Sequence, residues 1–128
     1  MSVDYVLDAS ALLALIHREP GAERVTGILP WSAISTVNLA EVFQSVLEHG
    51  LETDRISRRL ESFGVTVDSP TLFDADRAAQ LRFVTRSEGL SLGDRFCLAL
   101  AERLGAVAVT ADRAWVRSGH GITIELIR

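Results

Sequence analysis

The chain has 128 residues, 48% of them apolar, and a formal net charge of −4; this is one domain of common size with enough apolar material for a real core, which excludes a disordered class. No apolar run reaches membrane-spanning length, Asp4 stands where a signal peptide needs basic residues, and the single Cys97 excludes an internal disulfide and a cysteine-rich metal site, so a cytoplasmic protein with no membrane association is expected. All 13 basic residues are arginine, which excludes chemistries that need a lysine, while the acidic balance argues against a simple basic nucleic-acid binder.

Val3, Tyr5, Val6 and Leu7 form a β-prone run, and the unbroken apolar stretch Ala11 to Ile16 reads as a helix that Ser10 is placed to cap. Asp8 therefore falls where a buried strand gives way to a turn, the edge at which open α/β sheets bind ligands. Glu19-Pro20-Gly21 breaks the pattern, and Ala22 to Leu29 reads as a second short helix ended by Pro30. Trp31 to Ser35 is a strand candidate. From Asn38 to Glu48 the spacing of Leu39, Val42, Phe43, Val46 and Leu47 predicts a helix stopped by Gly50. Thr53 to Phe63 is another, carrying Arg55, Arg58 and Arg59 on one stripe, and Gly64 to Val67 is a strand closed by Pro70.

The second half continues the alternation. Leu72 to Glu88 reads as a long helix stopped by Gly89, and Ser91 to Leu104 as the next, stopped by Gly105. Ala106 to Thr110 is an apolar strand of the buried, parallel kind. A short helical turn is expected around Ala114 to Val116, and Gly121 to Ile127 makes a final strand. Strands separated by helices predict an α/β protein, a three-layer α/β/α fold with a central, mainly parallel sheet, in a single domain over residues 1–128.

Four acids stand apart by position. Asp8 ends the first strand and Asp112 follows the strand that closes at Thr110, while Glu41 and Asp94 are placed in the first turns of their helices. In a parallel sheet all four come from one rim. Asp94 shares a helical face with Cys97, Leu98 and Ala101, whereas Arg95, Glu102 and Arg103 take the opposite side. Ser91-Leu92-Gly93-Asp94 also fits a capping box, and both roles are compatible. Asn38-Leu39-Ala40-Glu41 resembles a second box, and Glu41 points away from its helix's apolar stripe, as a surface acid favoured by the helix dipole would. Taken singly, Asp8 and Asp112 read sooner as turn or helix-start residues than as functional ones.

Convergence changes the weighing. Two carboxylates about 5 Å apart repel by roughly 3 kcal/mol at an effective dielectric of about 20, so four together either take up protons or bind a cation. Oxygen ligands without His or Cys favour Mg²⁺ or Mn²⁺ over Zn²⁺. These four acids by themselves account for the whole net charge of −4, so the acidity does not exclude a nucleic-acid substrate.

Leu7-Asp8-Ala9-Ser10-Ala11-Leu12-Leu13, Asn38-Leu39-Ala40-Glu41-Val42, Leu90-Ser91-Leu92-Gly93-Asp94-Arg95 and Val109-Thr110-Ala111-Asp112-Arg113-Ala114-Trp115 together resemble, in order and over nearly the whole chain, the PIN-domain ribonucleases, and among them the toxins of bacterial VapBC toxin–antitoxin pairs. The resemblance implies Mg²⁺ or Mn²⁺ held by Asp8, Glu41, Asp94 and Asp112. It assigns Ser10 and Thr110 to orienting a carboxylate or a metal-bound water. The reaction it implies is hydrolysis of RNA, a transfer RNA or ribosomal RNA among such toxins, with inhibition of translation. A homodimer and a VapB-type antitoxin are the implied partners. Where some relatives carry a further acid after the fourth, this chain has Trp115, Val116 and Arg117.

Arg95 and Arg113 directly follow two of the acids and can either contact phosphate or balance the acidic rim. Arg55, Arg58 and Arg59 can extend an RNA track, or form a solvated face with Glu52 and Glu61. His17, His49 and His120 lack metal-ligand spacing. A phospho-accepting receiver domain and a haloacid-dehalogenase-like phosphatase both need a lysine, and no phosphate-cradling glycine motif is present. The remaining alternative from another class is a non-catalytic PIN-like domain that binds RNA or a partner without turnover.

Overall fold

Val6 and Leu7 are neighbours in one strand, so their side chains point to opposite faces of the sheet and each face needs its own cover. The computed structural model, which describes residues 2–128, supplies both covers. Strands β1 (Tyr5–Leu7), β2 (Ser32–Ser35), β3 (Thr66–Asp68), β4 (Val107–Thr110) and β5 (Ile124–Leu126) form a five-stranded sheet in the order β3-β2-β1-β4-β5. All four pairings are parallel, with Tyr5 opposite Ser32 on one side and Val107 on the other. On one face Leu7, Ile34 and Val109 pack with helices α1 (Ala9–Ile16), α2 (Ala22–Ile28), α3 (Thr36–Glu48) and α4 (Thr53–Ser62). On the other, Val6 and Ala108 pack with α5 (Leu72–Thr85), α6 (Leu92–Leu104) and the fully buried Trp115. The expected three-layer α/β/α fold is the observed one.

From β1 the chain crosses to β2 on one side, while β4, on β1's other side, leads outward to β5. The sheet therefore changes direction between β1 and β4, and a crevice opens beyond the carboxyl ends of those two strands. Asp8 directly follows β1, and Asp112 follows β4 by two residues.

Several boundaries differ from the sequence expectation, each for a local reason. Asp8, not Ser10, caps α1: its extended backbone at the strand end leaves its carboxylate free to accept from the Ala11 amide, and Ser10 becomes the second residue of the helix. Likewise α3 starts at Thr36 behind a Ser35 cap, which puts Asn38 inside the helix and Glu41 in its second turn rather than its first. The long helix expected to Glu88 ends as α5 at Thr85 and tightens into a 3₁₀ turn, Arg86–Glu88, stopped by Gly89 at φ 67°. The other strands are shorter than expected by one to four residues, the last one being Ile124–Leu126.

One ion-pair cluster ties the second face together. Arg103 on α6 donates to Asp74 at 2.8 and 3.0 Å and to Asp68 at 2.9 Å. Burial alone would raise the Asp74 carboxyl, but the Arg103 guanidinium and the Thr71 cap bring it below its ordinary value. Arg103→Met should therefore destabilise the fold by about 2 kcal/mol, less than a fully buried pair because the arginine itself stays partly wet. Denaturant unfolding checks this, and the loss should shrink as acid protonates Asp74.

Candidate active site at the carboxyl edge of the sheet

Asp8 is the buried member of the site, 3% exposed. Two hydroxyls hold it. The Ser10 hydroxyl lies 2.7 Å from Asp8 Oδ1, and the Thr110 hydroxyl donates to Oδ2 at 2.7 Å. Each hydroxyl oxygen in turn accepts a backbone amide from the segment after β4, Ser10 from Ala111 at 2.9 Å and Thr110 from Asp112 at 3.0 Å. With those amides donating inward, the hydroxyl protons are turned toward Asp8, so the carboxylate is fixed from both strands of the crevice. Burial nevertheless dominates: it pushes the Asp8 carboxyl from an ordinary 3.8 up to about 6, against the hydrogen bonds from Thr110, Ala11 and Ser10 and with a smaller push from Asp94.

Asp94 sits in the first turn of α6, where the predicted capping box is formed. Its amide donates to the Ser91 hydroxyl at 3.1 Å, and its Oδ2 accepts the Ser91 amide at 2.9 Å. The inward face is also as expected, since Cys97, Leu98 and Ala101 are fully buried. Burial raises the Asp94 carboxyl against the Ser91 hydrogen bonds, and the Asp112 carboxylate raises it further. Glu41 approaches from α3, raised by burial and by Asp94 against a hydrogen bond from Asn38. Asp112 caps the 3₁₀ turn Arg113–Arg117 through Oδ1, which accepts the Ala114 amide at 2.9 Å.

These mutual effects bring the four acids into one electrostatic neighbourhood with Asp94 as the common member. The buried Cys97 thiol beneath them reports the same convergence: burial raises it first, and Asp8, Asp94 and Glu41 each add to that. As they stand, no group of three or more His, Cys, Asp or Glu among the described residues is arranged to hold a metal ion. The donor set nevertheless fits a hard cation. It is all oxygen, and Glu41 Oε2, Asp94 Oδ1 and Asp112 Oδ2 have no hydrogen-bond partner among the described residues. Mg²⁺ characteristically keeps several of its waters and uses only one or two carboxylates directly, so it does not need a closed protein cage.

The arginines divide. Arg95, expected on the solvent side, is 6% exposed: its Nη1 donates to the Ala78 carbonyl at 2.8 Å and its Nε to the Ser91 carbonyl at 3.3 Å. The Ala78 carbonyl on α5 and the Ser91 carbonyl at the start of α6 draw it inward, so it ties α5 to α6. Arg113 is exposed beside Asp112. Arg55, Arg58 and Arg59 line an open cleft of about 310 Å³ with Ser62 and Phe63. His17 and His49 pack together at 4.8 Å at the C-terminal ends of α1 and α3, away from the acids. Two residues not singled out from the sequence belong to the site: Asn38, which links Glu41 to the Gly93 carbonyl, and Gly93 itself. The i, i+3 spacing of Asn38 and Glu41 was the available signal, hidden by reading Asn38 as a cap.

The fold is a parallel α/β sheet with carboxylates near its switch point. The family model for the PIN domain matches residues 5–120, and the chain belongs to that family, whose members are typically nucleases. No curated protein matches the sequence. In fold the chain is similar to a chain of the toxin–antitoxin complex from Klebsiella pneumoniae, with a TM-score of 0.76, 18% identity and 98% of each chain covered. It is similar to a chain of DNA-bound VapBC from Salmonella typhimurium, with a TM-score of 0.73, 22% identity and coverage of 98% of this chain and 99% of that one. VapBC-1 from nontypeable Haemophilus influenzae gives a TM-score of 0.71 at 20% identity, covering 98% of both.

Proposed function

We propose that this protein is a metal-dependent endoribonuclease, the toxin of a type II toxin–antitoxin pair, which hydrolyses RNA phosphodiester bonds and so inhibits translation. The observation that carries this reading is Asp8, a carboxylate buried at the sheet's switch point, raised to about 6 by burial and with Asp94 adding to the rise. A buried carboxylate in a crevice, raised by burial and set beside further acids, is the pattern of a functional site. Asp8, Glu41, Asp94 and Asp112 would hold the Mg²⁺ or Mn²⁺ that PIN-domain nucleases usually use. When bound, such a cation lowers the pKa of water and neutralises charge building on the phosphate.

The chain's own residues do the rest. Ser10 and Thr110 keep Asp8 from rotating, so its oxygens face the crevice in one orientation. The amides of Ala111 and Asp112 polarise those hydroxyls and strengthen their hold on the carboxylate. Asp94 is fixed by its cap, which occupies Oδ2 and leaves Oδ1 as the oxygen that would meet the cation. Water attacks phosphorus and gives up a proton to solvent, one of the two bridging P–O bonds breaks, its leaving oxygen takes up a proton, and no bond to the protein forms. Arg113, exposed next to Asp112, is the residue we assign to a neighbouring phosphate.

The substrate we assign is a transfer RNA or ribosomal RNA, and the partners are a VapB-type antitoxin and a second copy of the chain. Membership of the PIN family and a fold shared with VapBC complexes support the antitoxin. Leu72 and Phe83 on α5, 87% and 71% exposed, give apolar area for such contacts. Among the described residues no helix is long and apolar enough to cross a membrane, in keeping with a site of action in the cytoplasm.

Incubation with end-labelled RNA tests the reading. Cleavage should appear with Mg²⁺ or Mn²⁺, vanish with EDTA and return when the cation is restored. RNA that is bound and left intact with either cation would make this a non-catalytic RNA-binding domain instead. Mapping new 5′ ends in cellular RNA after brief expression identifies the target.

A further inference from the structure

We propose that Asn38 and Gly93 form a cradle that fixes the Glu41 carboxylate above the first turn of α6, making Asn38 a positioning residue for cation binding. This rests on the cation reading above. Asn38 is 1% exposed, on the third residue of α3. Its Nδ2 donates two hydrogen bonds, one to Glu41 Oε1 at 2.8 Å and one to the Gly93 carbonyl at 3.0 Å. Both partners are pure acceptors, so the amide has only one workable orientation, NH₂ toward the site. That orientation leaves Asn38 Oδ1 buried with no donor among the described residues. An apolar side chain would fill this space without burying an acceptor, so the amide is explained by the two protons it directs at Glu41 and Gly93.

Gly93 supplies the floor. A Cβ built there would lie 2.7 Å from Glu41 Oε1 and 2.8 Å from both Cδ and Oε2, so the carboxylate rests on the bare Cα. Gly93 directly precedes Asp94 and lies in the helix with an ordinary negative φ, so no backbone requirement explains a glycine here. Otherwise Glu41, exposed and on a flexible stem, has no reason to stay beside Asp94. With the cradle, one oxygen is held and the other, Oε2, is left to a ligand.

Mn²⁺ affinity, measured by calorimetry on the full chain, tests the cradle against a merely structural role. Asn38→Ala should weaken Mn²⁺ binding about tenfold, the usual effect of losing a partner that orients a ligand. In a Glu41→Gln background the same change should add almost nothing, because Asn38 acts only through that carboxylate. Gly93→Ala provides a variant that keeps Asn38 intact. Alanine is the better helix former, so thermal stability should hold or rise while Mn²⁺ affinity falls by a similar factor. Wild-type protein that binds no Mn²⁺ would overturn the cation reading itself, and the cradle with it. Wild-type binding that survives both Asn38→Ala and Gly93→Ala unchanged, or an Asn38→Ala effect undiminished beside Glu41→Gln, would overturn the cradle alone.

Discussion

Asp8→Asn should abolish RNA cleavage and, in the absence of divalent cations, make the protein more stable. The loss of activity is expected to be on the order of a thousandfold, equal to about 4 kcal/mol, because charge stabilisation by a bound cation is worth several kcal/mol in the transition state. The gain in stability follows from the raised carboxyl. Folding lifts Asp8 from 3.8 to about 6, so the folded state prefers the protonated form. Below about pH 4 both the folded and unfolded chains carry the proton and no penalty exists. As pH rises from there toward 6, the unfolded chain ionises while the fold still holds its proton, and stability falls. Above 6 the full cost of about 3 kcal/mol is present. Asparagine keeps the shape and can still accept from Ala11 through Oδ1. Its NH₂ replaces an acceptor of the Thr110 hydroxyl, which has to turn its proton away and so offsets part of the gain. The variant should lose the share of the pH-dependent decline that Asp8 contributes. Urea unfolding at pH 4 and pH 7.5 with EDTA present measures it: wild type should weaken between the two, and Asp8→Asn should weaken clearly less, keeping only the part that the raised Asp94 and Glu41 carboxyls contribute.

Asp94→Asn should separate the two effects. Cleavage is expected to fall about hundredfold or more, since Asp94 is the acid that the other three all neighbour. Stability should move little. An asparagine oxygen can still accept the Ser91 amide, and the Ser91 hydroxyl still accepts the amide of residue 94, so the capping box that starts α6 survives. Single-turnover cleavage with a thermal melt on the same preparation checks both halves. A variant that melts as wild type and does not cut points to the site and not to the fold.

The two acids also differ in how well the sequence announced them. Asp94 could be placed fully, because helical spacing put it on the face of Cys97, Leu98 and Ala101 and the Ser91 spacing fixed its cap, both local rules that the fold obeys. Asp8 could be placed at the strand end from local pattern, whereas its partners Ser10 and Thr110 came only from the family resemblance. Thr110 lies 102 residues away, and only the parallel pairing of β1 with β4 brings the two together. Glu41 is the opposite case, since its exposed position on α3 was legible and the Asn38 and Gly93 contacts that hold its carboxylate were not. The helix begins two residues earlier than expected because Ser35, the last residue of β2, supplies the cap. That frees Asn38 to turn toward Gly93, 55 positions on. Arg95 was misplaced for the same kind of reason, as its acceptor is a carbonyl on a different helix. Tertiary partners, unlike periodicity and caps, leave no local trace.

A single comparison bears on the central claim that the buried Asp8 charge exists to hold a cation: the change in unfolding free energy when Mn²⁺ is added to wild type and to Asp8→Asn. Wild type should gain about 2.7 kcal/mol at a hundredfold excess over the dissociation constant, while the variant, with its destabilising charge already removed, should gain little. Equal stabilisation of the two proteins, or none in wild type, would contradict it.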